Sequence, residues 1–234
     1  MSIPIIRVKI SGELACFTRP EAKVERVSYP LMTPSAARNI LDAICWRPEM
    51  RWVVTSIATL KPIRYISVLR NEVQSKISPA AVQKWMADPS QYAPLAAGAG
   101  ANTEGTPRNA LLLADVAYII EAFPLVFNTS GDNTAAKYIA MLQRRVKKGQ
   151  CYHRPSLGCR EFAAEFSSPS KDDRPFPISL DVGRMLYDVA FNPKGNAAVF
   201  FEAKVADGVM DTRPEVVLKG TSHQREILQC SYKR

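Results

Sequence analysis

Residues 144–160 read RRVKKGQCYHRPSLGCR. Arg144, Arg145, Lys147, Lys148, Arg154 and Arg160 supply positive charge, while Cys151, His153 and Cys159 are residue types that bind metals. Three chemistries compete for such a run. Metal binding is the first. The spacing C-x-H-x5-C matches none of the paired patterns of structural zinc sites. His223 and Cys230 are further soft donors, neither forms a close pair, and dense cations repel a metal ion. The spacing therefore predicts no metal site, and packed thiols at Cys151 and Cys159. Nucleophilic catalysis is the second. A Cys–His dyad would need His153, yet nothing like a nucleophile elbow surrounds it. Neither a phosphate-binding GxxxxGK[ST] loop nor GxGxxG occurs. Nucleic-acid binding is the third. No acid lies between Asp132 and Glu161. Lys and Arg neutralise phosphates, Arg holds them bidentately, and aromatic faces stack on bases. Trp46, Tyr138 and Tyr152 lie within or beside basic residues. This third chemistry fits best, with RNA favoured over DNA by the element order given below.

The bulk composition agrees. The chain has 234 residues, 31 Lys plus Arg against 22 Asp plus Glu, and a formal charge of +9. That balance suits a polyanionic partner. A hydrophobic share of 47% provides a core and excludes a disordered chain. The five cysteines, at 16, 45, 151, 159 and 230, make no disulfide framework and fit a reducing cytosol. The opening "SIPIIRVKIS" lacks the features of a secretory leader. The most apolar stretch, 109–127, is interrupted by Asp115, Glu121 and Pro124. No membrane span and a cytoplasmic location are expected.

Regular elements must position these residues. Residues 4–17 alternate, with Ile6, Val8, Ile10, Leu14 and Cys16 on one side, and predict a half-buried strand. Thr33 and Pro34 open a helix whose apolar face is Ala37, Ile40, Leu41, Ile44 and Cys45, ended before Pro48. "RWVVTSIATLKPIRYISVL" predicts a strand, kinked at Pro62. Residues 71–109 read as an insertion holding a short helix in "SPAAVQKWMADPSQY" and a loose surface loop. A long strand over 110–127 follows. "SGDNTAAKYIAMLQRRVKKG" is a second helix, capped by Asp132 or Asn133 and stopped by Gly149. Tyr138, Ile139, Leu142 and Val146 form its apolar face, and Lys137, Arg144 and Lys148 a basic stripe. "CREFAAEF" predicts a strand, and two strands around the turn "NPKG" predict a hairpin. The fold class is α+β. The order βαββαβ predicts a ferredoxin-like (RRM-like) domain over 1–167, followed by a smaller antiparallel β-sheet region over 168–234.

Two stretches, 39–77 and 132–166, carry a resemblance. The strings W-R-P-x-x-R-W and G-Q-C-Y-H-R-P-x-L-G-C-R-E-F resemble the CRISPR-associated RAMP proteins of type I-C systems, the Cas5d (Cas5c-type) crRNA endoribonucleases. The resemblance runs from the first strand to about residue 220. It implies an N-terminal ferredoxin-like domain and a C-terminal β-sheet. It implies metal-independent cutting of CRISPR precursor RNA within the repeat, by attack of a ribose 2′-OH on the adjacent phosphate, leaving a 2′,3′-cyclic phosphate and a 5′-OH. It also implies that the protein stays on the crRNA 5′ handle as a subunit of the interference complex, beside backbone and large subunits. No cofactor is implied.

That chemistry asks for a base, a cation for the crowded phosphorane and an acid. The family pattern has a Tyr near the end of the first helix and a Lys–His pair on the second. Here Cys45, Lys137 and Tyr138 occupy those positions, and only the lysine keeps its type. Lys137 is the expected transition-state cation, with Tyr138 or His153 handling the proton. A phenol's ordinary value near 10 makes it a slow base; an imidazole exchanges protons near neutrality. RNA contacts are expected from Trp46, Arg47, Arg144, Arg145, Lys147, Lys148, Arg154 and Arg160. The changed positions leave an alternative open, a crRNA 5′-handle-binding subunit that does not cleave.

Overall fold

The computed structural model describes residues 4–22, 24–73, 75–92, 105–127, 129, 131–190 and 195–221. Its elements are β1 (Ile6–Ala15), α1 (Pro34–Ile44), β2 (Met50–Thr59), β3 (Tyr65–Val73), α2 (Pro79–Ala87), β4 (Gly105–Val126), α3 (Ala135–Lys148), β5 (Glu165–Ser167), β6 (Leu180–Ala190), β7 (Ala197–Ala206), β8 (Val209–Asp211) and α4 (Pro214–Val217). The architecture is α+β. One sheet runs β5-β1-β4-β2-β8-β7-β6, with β3 joined to β4 alone, and the named pairings are antiparallel.

β4 organises the molecule. Its 22 residues pair with β3 through Gly105–Leu113 and with β1 and β2 further on. The changeover falls beside Asp115, whose φ of +52° is a conformation few L-residues adopt. Lys61 holds the Asp115 carboxylate at 2.5 Å. The stretch expected to be one kinked strand is two, β2 and β3, because Pro62 and the residues beside it leave the ladder. The expected insertion is shorter than 71–109: β3 continues to Val73, β4 begins at Gly105, and α2 lies between. Residues 93–104, most of the expected loose loop, lie outside the described residues, as does most of the NPKG turn.

α1 forms where its pattern predicts. Thr33 accepts the Ala36 N–H, Pro34 starts the helix, and Ala37, Ile40, Leu41 and Ile44 are buried. Loss of such a cap costs about 1 kcal/mol. α3 is capped by Thr134, which accepts the Lys137 N–H, rather than by Asp132 or Asn133. Gly149 ends it at a φ of +64°. Tyr138, Ile139, Leu142 and Val146 share one core with α1, β1, β2 and β4, and that core also takes in Met185, Tyr187 and Phe201 of β6 and β7.

The expected strand at 159–166 is mostly a tight loop, and only Glu165–Ser167 pairs with β1. The Leu157 N–H donates to Phe162 and the Phe162 N–H to Cys159, so the chain folds on itself. Gly158, at φ +87°, passes against Cys16: a Cβ there would fall 2.0 Å from the Cys16 carbonyl oxygen.

A buried ionic junction fastens α1 and β2 to β6. Arg38 donates to both Asp188 oxygens at 2.8 and 3.0 Å and to Asp42 at 2.7 Å, and Arg51 reaches Asp188 at 2.6 Å. Burial by itself raises a carboxyl; Arg38 and Arg51 overcome it and hold Asp188 below its ordinary value. Breaking one partner of such a group leaves an unpaired buried charge.

Candidate nucleic-acid interface

α3 presents two unlike faces. Its apolar face is in the core, which turns Lys137, Arg144, Lys147 and Lys148 to solvent. Among the described residues, none of these four forms an ion pair with a carboxylate. The cations near Lys148 also sit at the helix C-terminus, where the backbone dipole favours positive charge.

Arg145 is different. Its side chain is half-buried and donates at 2.5 Å to the carbonyl of Ile44, the last residue of α1. The backbone N–H groups of Tyr152 and His153 donate to Ala43 at 2.9 and 3.0 Å. α3 and the loop after it thus satisfy carbonyls that α1 leaves open at its end. Beyond that end, Cys45 to Glu49 run beside α3. Arg47 and Glu49 act on the Tyr138 hydroxyl, and Arg145, Arg47 and Arg144 act on Cys45. Trp46 and Arg47, both half-buried, thus follow the α1 end beside the exposed edge of α3.

The expected chemical groups are placed unequally. Cys45 is fully buried; its carbonyl accepts the Trp52 indole N–H at 2.8 Å, and burial raises its thiol. Tyr138 is 1% exposed, and its hydroxyl donates to Asn133 Oδ1 at 2.9 Å. Burial holds that phenol above its ordinary value, so it stays protonated at neutral pH with its O–H committed to Asn133, and is poorly suited to act as a base. Lys137 is exposed, with Nζ 5.9 Å from the Tyr138 ring and 3.5 Å from Asn133 Oδ1. His153 is exposed and edge-on to Tyr152, ring centroids 4.3 Å apart. No contact joins Lys137 to His153: the lysine reaches Asn133 and the Tyr138 ring, and the imidazole packs on Tyr152. Arg160 is exposed, and Arg154 lies 3.5 Å from Glu165.

Two residues escaped the sequence reading as members of this site. Asn133 joins Lys137 and Tyr138 through one oxygen, and its i, i+4 spacing to Lys137 was the available signal. Glu49 sits near the Tyr138 hydroxyl, and nothing local in the sequence marks that long-range approach. The thiols also divide. Cys159 packs beside Cys16, whereas Cys151, expected to pack, is exposed because it lies on the loop outside the α1 end. Among the described residues, no group of three or more His, Cys, Asp or Glu side chains is arranged to hold a metal ion. No described helix is long and apolar enough to cross a membrane.

Comparison with known proteins places this geometry in a family. Residues 5–210 match the Cas5d model, described as a CRISPR-associated protein. A curated protein of Mannheimia succiniciproducens, "CRISPR pre-crRNA endoribonuclease Cas5d", is 45% identical over 223 residues, covering 89% of this chain and 95% of its own length. A protein of the same name from Thermus thermophilus is 42% identical over 186 residues, covering 80% of this chain and 73% of its own. A solved structure of a CRISPR-associated protein shares the fold, with a TM-score of 0.61 at 22% identity over 89% of this chain and 91% of that one. The chain belongs to the Cas5d family of CRISPR-associated proteins.

Proposed function

We propose that this protein is a metal-independent endoribonuclease that cuts CRISPR precursor RNA within the repeat and then holds the crRNA 5′ handle as a subunit of a type I-C interference complex. The observation that carries the reading is the solvent-facing row Lys137, Arg144, Lys147 and Lys148, free of carboxylate partners among the described residues, in a chain 45% identical to a named pre-crRNA endoribonuclease. The order β5-β1-β4-β2 with α1 and α3 as crossovers supports a ferredoxin-like N-terminal domain over 1–167, with 168–234 as the smaller β-sheet region. A cytoplasmic location suits the reading.

Arg144, Lys147 and Lys148 neutralise the RNA backbone, and Trp46 and Arg47 lie beside the same helix. Lys137 stabilises charge on the phosphorane as the 2′-OH attacks. Asn133 accepts from both the Tyr138 hydroxyl and Lys137 Nζ, which ties the lysine to the buried face of the helix. His153 takes the 2′-OH proton only if the RNA brings its scissile ribose across the α1 end toward the loop. Arg145 acts indirectly, by fixing that end. The product is a 2′,3′-cyclic phosphate.

The purified protein incubated with its cognate repeat hairpin in EDTA tests this. A product ending in a cyclic phosphate, abolished by a 2′-deoxy substitution at the scissile nucleotide, is expected. Tight, repeat-specific binding with no product would instead establish the non-cleaving handle-binding subunit, the reading favoured by the buried Cys45 and Tyr138.

A further inference from the structure

The strongest unassigned chemistry lies at the other end of α1. Cys16 follows β1, and Cys159 lies on the loop before β5. Their closeness is built into the backbone. The Cys16 N–H donates to Leu157 at 3.0 Å, Gly158 touches the Cys16 carbonyl, and the Cys159 thiol points at that carbonyl at 3.8 Å. Both side chains belong to one small cluster with Ala110 and Leu112. Arg26 places a guanidinium nitrogen 3.3 Å from Cys159 Sγ, and Thr18 Oγ1 lies 3.4 Å from Cys16 Sγ and 4.0 Å from Cys159 Sγ. Cys16 and Cys159 both line a cleft of about 250 Å³, with Thr18, Ser35, Asn39 and Gly158.

We infer that Cys159 and Cys16 form a peroxide-sensitive dithiol, with Cys159 the attacking thiolate and Cys16 the resolving thiol. Cys159 is half-buried on the cleft wall, so a small oxidant reaches it; Cys16 is 1% exposed and acts only on its neighbour. The environment separates the two thiols. The adjoining Cys16 thiol, together with Arg26, pulls Cys159 below the ordinary thiol value against burial and Glu161, while the adjoining Cys159 and burial push Cys16 up. A thiolate beside a guanidinium with a second thiol at hand is the arrangement of redox-sensing cysteines.

The chemistry balances with a hydroperoxide as oxidant. The Cys159 thiolate attacks one peroxide oxygen, the O–O bond breaks, and hydroxide leaves, giving a sulfenic acid. Cys16 sulfur then attacks Cys159 sulfur. An S–S bond forms, the S–O bond breaks, and the Cys16 proton leaves with the hydroxyl as water. Two thiols lose two electrons and the peroxide gains them. The thiolate contact of Arg26 is lost, leaving that residue to Glu161 and Glu72, which it reaches at 3.2 and 3.7 Å.

The test uses the full chain with Cys151→Ser and Cys230→Ser, which removes the exposed thiol of the described residues and the one cysteine outside them. After hydrogen peroxide treatment at neutral pH, non-reducing peptide mapping should find the Cys16 and Cys159 peptides joined, two hydrogens lighter, and separable by a thiol reductant. Cys16→Ala should trap Cys159 as a sulfenic acid that a cyclic dione labels. Cys16 and Cys159 both still reduced after treatment would overturn the inference. Should Cys16→Ala fail to fold, the Cys151→Ser, Cys230→Ser protein alone decides through iodoacetamide labelling of Cys159 against pH. A midpoint well below the ordinary thiol value of about 8.5 supports it, and one at that value contradicts it.

Discussion

Arg38 and Arg51 meet Asp188 inside the protein, whereas Lys137, Arg144, Lys147 and Lys148 on α3 face solvent without a carboxylate among the described residues. The two sets are equally basic in sequence. Their surroundings give them different work. Inside, each cation is desolvated and must be matched, so the junction specifies how β6 docks on α1 and β2. Outside, an unmatched cation costs little because water solvates it, and it stays available to a polyanion. Arg145 stands between, exposed enough to lie on the basic helix and buried enough to close the end of α1.

The largest effect should come from breaking the inner set. Asp188→Asn leaves Arg38 and Arg51 without their shared carboxylate and should cost about 3–5 kcal/mol in urea unfolding. The pH dependence has a definite sign. Asp188 is held below its ordinary value, so its contribution is complete at neutral pH and is lost as pH falls through the folded value, below about 4. The gap between wild type and Asp188→Asn should therefore persist at pH 7 and narrow in strong acid. A gap unchanged down to acid unfolding would show that the ion pair is not its source.

Breaking the outer set should do the reverse. Changing Arg144, Lys147 and Lys148 together to Gln should leave the urea midpoint nearly in place. The slope of log affinity for repeat RNA against log salt should fall by roughly 2, at about 0.7 for each lost phosphate contact on a single strand. A smaller, mixed effect is expected at Arg145. Arg145→Met should lower stability by about 1–2 kcal/mol through the carbonyl of Ile44, and weaken RNA binding along with it. The exposed Arg154–Glu165 pair sharpens the contrast: Glu165→Gln should not measurably change the urea midpoint.

Local patterns carried most of the fold. The apolar faces of α1 and α3 followed from i, i+3, i+4 spacing, and Gly149 ended α3 because its open position needs a left-handed residue. The loop at 156–164 did not follow, because Phe162 and Phe166 alternate like a strand while Gly158 and the approach to Cys16 bend the chain. Asp188 and Arg38 carried no sequence signal either, since 150 residues separate the partners. In the candidate site, exposure of Lys137 followed from helical phase. Burial of Tyr138 followed from the same phase and limits what its hydroxyl can do. Arg145 looked like its neighbours, and only the position of α1 separates it from them.

The central claim is that charge on α3 is divided between holding RNA and acting on the scissile phosphate. Single-turnover cleavage of the repeat hairpin, with binding measured on a 2′-deoxy substrate, tests it directly. Lys137→Ala should lower the cleavage rate far more than the affinity, and the Arg144, Lys147 and Lys148 triple variant should lower the affinity far more than the saturated rate. Equal losses of rate and affinity for Lys137→Ala would contradict the account and make Lys137 one more phosphate contact.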